Sequence, residues 1–218
     1  MRLFFSAILL LTLIAACTNT PEPVVEDDIY LPENEVRQDN RSRMIWQQPG
    51  AVMDAMGDIR EKVIADIGAG EGFFAERLAP IADRVIAVEI DEKYINYLDT
   101  LRRFGLQKEF RARLEPRLAT ADDPHLEKSE VDIILIVNTF MLIEKKVDYL
   151  KKLYPALRSD GRIVIVDWKR KDTTIGPQKK DRLALGSLED MLQDAGFRVT
   201  SSDDGTLEYQ YIVVAEKE

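Results

Sequence analysis

A short apolar run that ends in three alternating glycines constrains the fold of this chain most. The run Val63–Ile67 is almost continuously apolar or small, which is typical of a parallel strand covered on both faces. Gly68, Gly70 and Gly72 follow it, and glycine both reaches positive φ and lets the backbone approach a ligand closely. An amphipathic helix that starts near Phe73 comes next. Strand, glycine turn and helix predict an α/β fold with a nucleotide crevice at the strand end.

The glycine spacing distinguishes between nucleotide cofactors. A dinucleotide-binding loop has the pattern G-x-G-x-x-G, and here Phe73 takes the place of the third glycine. This departure argues against an NAD-dependent oxidoreductase, although that function stays open as an alternative. The run RVIAVE predicts a second strand, which ends in Glu89, 21 residues after Gly68. A carboxylate at a strand tip can accept hydrogen bonds from both ribose hydroxyls of an adenosine, so the two features together predict an adenosine site.

The sequence D-I-G-A-G-E-G resembles motif I of the class I S-adenosylmethionine-dependent methyltransferases. The resemblance extends over about residues 41–214 and is strongest to the small-molecule branch, which includes ubiquinone and menaquinone C-methyltransferases. It implies a doubly wound, Rossmann-like sheet of seven strands, mostly parallel, with a C-terminal antiparallel hairpin. It also implies S-adenosylmethionine as the cofactor and a small molecule as the methyl acceptor.

The same resemblance implies which residues contact the cofactor. Asp122 is the first choice for the adenine contact and Asp123 the second. Both aspartates are equally well explained as turn residues. Where some relatives have histidines after the fourth strand, this chain has Met141 and Leu142, which argues against histidine-assisted chemistry. The implied contacts are Asp66, Gly68, Ala69, Gly70 and Gly72 at the methionine part, Glu89 at the ribose, Ile90 and Asp122 at the adenine, and Asn138 at the ligand edge of the sheet.

Further elements follow from hydrophobic patterning. Val131–Val137 is the most hydrophobic run of the mature chain and predicts a central strand. Residues 110–114 alternate like a third strand, and a helix capped by Ser187 is predicted near the C-terminus. Trp46 is either a core residue of an N-terminal covering helix or part of a lid over the cofactor, and the polar stretch 169–186 is either functional or simply solvated.

The N-terminus has the features of a bacterial lipoprotein signal. One arginine, an apolar run and the residues Ile14-Ala15-Ala16-Cys17 resemble a lipobox, which implies lipid modification of Cys17. We therefore expect residues 1–17 to be the signal, 18–40 an acidic flexible tether and 41–218 the methyltransferase domain, held at the bacterial cell envelope and preferentially at the outer membrane. A single-pass anchor is the alternative, although the run is short for a full span.

Charge and residue usage exclude some function classes. A net charge of −9 argues against a general nucleic-acid binder, and there is no Cys or His cluster for a metal. His125, Asp167 and Tyr209 are candidates for a base, but none is favoured, and the sequence predicts no oligomeric state. S-adenosylmethionine is made in the cytosol and the signal directs the chain out of it. A non-catalytic, cofactor-binding lipoprotein of the same fold is therefore kept as the main alternative.

Overall fold

The computed structural model describes residues 42–217, so the predictions for Cys17 and for the segments 1–17 and 18–40 lie outside the described residues. A helical segment, 42–46, precedes five α-helices. None of the helices in this range combines the length and apolar composition needed to cross a bilayer. The helices are α1 (Pro49–Met56), α2 (Ala75–Leu78), α3 (Glu92–Thr100, continued by a π-helix, Leu101–Gly105), α4 (Lys146–Ala156) and α5 (Leu185–Asp194).

Seven strands form one sheet in the order β3-β2-β1-β4-β5-β7-β6. The pairs among the first five strands of this order are parallel, and β7 runs antiparallel between β5 and β6. The predicted fold class is therefore confirmed. The strands are β1 (Val63–Ile67), β2 (Arg84–Glu89), β3 (Leu114–Leu118), β4 (Val131–Val137), β5 (Leu157–Trp168), β6 (Phe197–Asp203) and β7 (Gln210–Lys217).

The two central strands are buried on both faces, as their composition predicts. All five residues of β1 are buried, and they divide by parity: Ala65 packs into the core on one face of the sheet and Ile64 into the core on the other. β4 lies at the middle of the sheet, as predicted for the most hydrophobic run. The chain leaves β1 for β2 on one side and later returns to β4 on the other, so a crevice opens at the carboxyl ends of β1 and β4.

Two local predictions are wrong. The third strand is β3 rather than 110–114, since residues 111–113 form a short 3-10 turn. β3 contains Pro116, which a sheet tolerates here because β3 is an edge strand. Ser187 does not cap α5: the helix begins two residues earlier and Ala184 occupies the cap position without a side-chain hydrogen bond. The C-terminal antiparallel hairpin is confirmed.

Candidate cofactor-binding site

The glycine loop after β1 has three residues at positive φ, and each glycine serves a different purpose. Gly68 (φ 72°) lies so close to Thr139 that a Cβ atom would collide with that side chain. A Cβ on Gly72 (φ 78°) would lie 2.6 Å from Leu101 Cδ2, so Gly72 lets the loop pack on the end of the helix that follows β2. Gly70 (φ 53°) has open space where a side chain would stand. The backbone at Gly70 is therefore the part of the loop that a ligand can approach most closely.

Glu89 ends β2 with its carboxylate held at the tip of the strand. Its Oε2 accepts a hydrogen bond from the Gly70 amide at 2.9 Å, and its Oε1 accepts one from the Ile90 amide at 2.7 Å. The side chain is nearly buried, at 9% exposure, yet it lines a cavity. Glu89 thus fixes the glycine loop against β2 and presents a carboxylate whose remaining lone pairs can accept ligand hydroxyls.

Asp66 lies at the carboxyl end of β1 with one oxygen, Oδ2, buried and without a hydrogen-bond partner. Burial raises the pKa of this carboxyl to about 7, and the Glu89 charge adds to the rise. Arg43 and a backbone hydrogen bond from Ala75 oppose it. A buried acceptor without a partner is costly, so this oxygen is suited to a donor that arrives with a ligand.

Two adjoining cavities form a groove along the carboxyl edge of the sheet. We call the first, of about 330 Å³, the glycine-loop cavity, and the second, also about 330 Å³, the strand-tip cavity. They adjoin because they share Gly68, Tyr94 and Thr139. The glycine-loop cavity is lined by Arg43, Asp66, Ala69, Gly70, Phe73 and Asn138, among others, and the strand-tip cavity by Val88, Glu89, Ile90, Thr120, Ala121 and Leu142, among others.

Most of the predicted contact residues are brought together in this groove. Ile90 lines the strand-tip cavity and is 57% exposed, which leaves its side chain available to an adenine ring. Asp122 lines a further cavity of about 530 Å³ that adjoins the strand-tip cavity, and its Oδ1 accepts a hydrogen bond from Thr120 Oγ1 at 3.0 Å. Gly72 faces α3 instead of the groove. The groove gathers most of these residues, while the role of each toward a ligand stays a prediction.

Asn138 takes a left-handed conformation at the tip of β4, with φ 59°. Its amide N–H donates to the Val166 carbonyl at 2.9 Å, which keeps it in line with β5. Its side chain lines the glycine-loop cavity and hydrogen bonds with Gln47 and Gln210. The sequence prediction placed Asn138 at the ligand edge, and the structure adds two glutamine partners that no local pattern indicated.

The three candidate bases occupy different environments. His125 is exposed, and its Nδ1 lies 3.0 Å from the Leu118 carbonyl oxygen. Asp167 is fully buried, with one oxygen accepting from the Met141 amide at 2.9 Å and the other from its neighbour Trp168, and burial raises its pKa to about 6. Tyr209 is half-buried just before β7. Asp167 therefore holds the turn after β4 in place, which is a positioning role.

The aromatic and polar surroundings of Trp46 link the N-terminal segment to the 169–186 stretch. Trp46 is half-buried, and its ring lies 5.1 Å from that of Trp168. Gly176 (φ 86°) packs on the Trp168 ring, where a Cβ would come to 2.5 Å. Arg182 is buried and donates to several carbonyls of the stretch, including Lys169 and Lys171 at 3.0 Å each. The stretch is thus held in a defined conformation by its own arginine.

Several groove residues were not predicted from the sequence. Arg43 lies 20 residues before β1 and enters the groove only because the helical segment 42–46 folds over it. Tyr94 and Thr139 line both cavities, although each fits an ordinary helix or loop pattern. Thr139 was within reach of sequence reasoning, because it directly follows Asn138 at the tip of a central strand.

Comparisons with known proteins agree with this geometry. Residues 65–165 match the sequence model of the family described as a methyltransferase domain. Two curated proteins from strains of Mycobacterium tuberculosis, each described as a probable S-adenosylmethionine-dependent methyltransferase, are 27% identical over 143 residues. The alignment covers 62% of this chain and 48% of each relative, so the chain spans about half the length of the curated relatives it matches.

Solved structures share the fold. A SAM-dependent methyltransferase from Aquifex aeolicus superimposes with a TM-score of 0.76 at 23% identity, covering 87% of this chain and 100% of that one. An S-adenosylmethionine-dependent methyltransferase from Mesorhizobium loti gives a TM-score of 0.65 at 15% identity, covering 77% and 96%. The seven-stranded, Rossmann-like sheet is therefore the methyltransferase fold.

The residues of the groove fit the cofactor of these proteins. Asp66 offers a buried oxygen without a partner to a donor, Gly70 leaves its backbone open, and Glu89 holds a carboxylate at the strand tip. Asp66, Gly68, Ala69, Gly70 and Asn138 would hold the amino-acid part, and Glu89 and Ile90 the adenosine part. Residues 65–165 thus match a methyltransferase domain, and the curated relatives and the solved structures that share this fold are described as S-adenosylmethionine-dependent methyltransferases.

Proposed function

We propose that this chain transfers a methyl group from S-adenosylmethionine to a small-molecule acceptor. The observation that carries the proposal is the groove at the carboxyl edge of β1, β2 and β4. There the open backbone at Gly70, the carboxylate of Glu89 and the partnerless oxygen of Asp66 line two adjoining cavities. Each of these groups matches a different part of an adenosyl amino acid.

The residues of the groove would contribute binding and orientation. When bound, S-adenosylmethionine would supply the methyl group of its sulfonium to an aligned nucleophile, with the neutral thioether of S-adenosylhomocysteine as the leaving group. Glu89 orients the ribose and, through its hydrogen bond from Gly70, the glycine loop at the same time. Asp167 fixes the turn after β4 by accepting the Met141 amide, so the edge of the groove near Leu142 keeps its shape. These are positioning roles, and we assign no catalytic base.

For the acceptor, we propose a small molecule of the kind used by the branch that the sequence resembles, which includes ubiquinone and menaquinone C-methyltransferases. A carbon or oxygen acid that has already lost its proton to solvent would react without a protein base, because the nucleophile is then an anion and the leaving group is a neutral thioether. This requirement suits a chain in which Asp167 is occupied by two backbone amides and His125 lies exposed on a loop.

We further propose that the domain acts at the cell envelope, attached through a lipidated Cys17. The support is the apolar run that ends in Ile14-Ala15-Ala16-Cys17. One acyl chain gives only marginal membrane binding, so stable attachment requires several chains. Intact mass measurement of wild type and Cys17→Ser tests this: the wild type should carry acyl mass on a processed N-terminus and the variant should not. Identical mature masses and identical detergent partitioning would contradict it.

The activity itself is tested by transfer of an isotope-labelled methyl group. The purified protein is incubated with labelled S-adenosylmethionine and small-molecule extracts of bacterial envelope fractions, beside a Glu89→Ala variant. We expect label in an extractable product with the wild type and a loss of at least tenfold with the variant. A wild type that binds the cofactor yet transfers no more label than Glu89→Ala in every extract would instead favour the non-catalytic, cofactor-binding lipoprotein.

A further inference from the structure

Arg43 places a fixed positive charge in the glycine-loop cavity from outside the region that matches the family. It lies in the helical segment 42–46 and lines the cavity beside Asp66 and Asn138. Its guanidinium carbon lies 4.2 Å from the centroid of the Phe73 ring, a favourable cation–π distance. Its Nε donates to Gln47 Oε1 at 3.3 Å. The guanidinium is thus held over the cavity by an aromatic face and by an amide.

Gln47 belongs to a closed ring of three amide side chains. Gln47 Nε2 donates to Gln210 Oε1 at 2.5 Å, Gln210 Nε2 donates to Asn138 Oδ1, and Asn138 Nδ2 donates to Gln47 Oε1 at 3.1 Å. Gln47 and Gln210 are fully buried. Removing Gln47 or Gln210 leaves a buried amide group of the other without its partner, which costs about 1–3 kcal/mol. The ring therefore ties the segment that carries Arg43 to the tips of β4 and β7.

The glycine-loop cavity consequently presents both signs of charge. Arg43 offers a planar guanidinium, which matches a carboxylate with two parallel hydrogen bonds. Asp66 offers the partnerless oxygen described above, and the Arg43 charge opposes the rise in its pKa. A zwitterionic α-amino acid carries a carboxylate and an ammonium close together, so it complements this pair. An adenosine ligand without the amino-acid part would leave both groups unused.

We propose that Arg43, positioned by the amide ring of Gln47, Asn138 and Gln210, binds the α-carboxylate of the cofactor, and that the site thereby selects adenosyl ligands bearing an intact amino acid. The inference rests on the proposed function, because it takes the ligand of the groove to be S-adenosylmethionine or its demethylated product. It assigns the segment 42–47 to the cofactor site, where it completes the cavity that the matched region 65–165 leaves open.

The test compares three ligands by calorimetric titration of the whole protein. S-adenosylhomocysteine carries the amino acid, decarboxylated S-adenosylmethionine keeps the amine and the methylsulfonium but lacks the carboxylate, and 5′-methylthioadenosine lacks the whole amino-acid part. We expect Arg43→Ala and Arg43→Gln to weaken S-adenosylhomocysteine roughly tenfold to a hundredfold, the effect of losing a hydrogen bond to a charged group. Affinity for 5′-methylthioadenosine should stay within about twofold, and affinity for decarboxylated S-adenosylmethionine should fall much less than affinity for S-adenosylhomocysteine. Gln210→Ala should also weaken S-adenosylhomocysteine relative to the other two ligands, by a smaller factor than the Arg43 variants. The reason is that Gln210 acts on Arg43 only through Gln47.

Arg77→Ala is the matched control. Its guanidinium also lies over Phe73, 4.0 Å from the ring centroid, but Arg77 lies outside the lining of the cavity. Arg77→Ala should therefore leave the affinity for S-adenosylhomocysteine relative to the other two ligands unchanged. Equal losses for all three ligands in both Arg43 variants would reduce Arg43 to a structural residue. Unchanged S-adenosylhomocysteine affinity would place the carboxylate elsewhere. A wild type that binds none of the three would overturn the proposed function together with this inference.

Discussion

Acidification should weaken cofactor binding through Asp66. In the free protein burial raises the pKa of this carboxyl to about 7, so it is half protonated near neutrality. The ionised form is the one that accepts a ligand ammonium, and the bound ammonium should pull the pKa back down. Affinity is therefore highest above pH 7 and is lost as the pH falls through 7. With a bound pKa well below 5, S-adenosylhomocysteine should bind roughly fifty-fold more weakly at pH 5 than at pH 7.

The assay is calorimetric titration of wild type and Asp66→Asn at pH 5, 6 and 7. Other charged groups lie near Asp66: Arg43 and Glu71 line the same cavity, and Glu89 raises the Asp66 pKa. The pKa of Asp167 is also raised, to about 6. The Asp66→Asn variant is therefore needed to separate the titration of Asp66 from that of these groups. The variant should bind weakly and nearly independently of pH. The free wild type should lose stability as the pH rises from about 4 to about 7. Over this range the Asp66 carboxyl is ionised in the unfolded state but still protonated in the folded state, so ionisation favours unfolding. A flat wild-type profile, or an equal slope in Asp66→Asn, would refute the reasoning.

Other substitutions test the glycine loop and the strand tip. Glu89→Ala should weaken binding of S-adenosylhomocysteine roughly tenfold to a hundredfold. It should also lower the free energy of unfolding by about 1–3 kcal/mol, because the Gly70 amide loses its acceptor. An unchanged dissociation constant together with an unchanged melting temperature would place the ribose contact elsewhere. Gly68→Ala should destabilise the fold, because its Cβ would collide with Thr139 at a positive φ, whereas Gly186→Ala, with open space around it, should be neutral or stabilising by about 1 kcal/mol. Equal melting temperatures for the two alanine variants would contradict the loop geometry.

The sheet was predictable because its signals are local. The β1 run, the three glycines and the tip residue Glu89 all lie within 27 residues, and each has a direct physical reason. β4 was predictable from its apolar composition. The third strand was misplaced because Pro116 argues against a strand, and only the position of β3 at the sheet edge removes that objection.

The site was predictable only in part because some of its contacts join distant positions. Gln47 and Gln210 are separated by 163 residues and meet only when the segment before α1 packs against the start of β7. Arg43 reaches the cavity through that same packing. The contact between Gly68 and Thr139 likewise depends on the pairing of β1 with β4. Patterning identifies which strand ends meet, but it does not determine which side chains from covering segments reach them.

The most direct test is the thermal melt of the purified protein with S-adenosylmethionine, with S-adenosylhomocysteine and with NAD. A ligand at a hundred times its dissociation constant stabilises the native state by about 2.7 kcal/mol, or about 5–11 °C in melting temperature for a domain of this size. We expect this shift with both adenosyl ligands and none with NAD, and Gly70→Val should abolish it by filling the open space at the loop. No shift with either adenosyl ligand at millimolar concentration, or a shift with NAD alone, would contradict the assignment of the groove to S-adenosylmethionine.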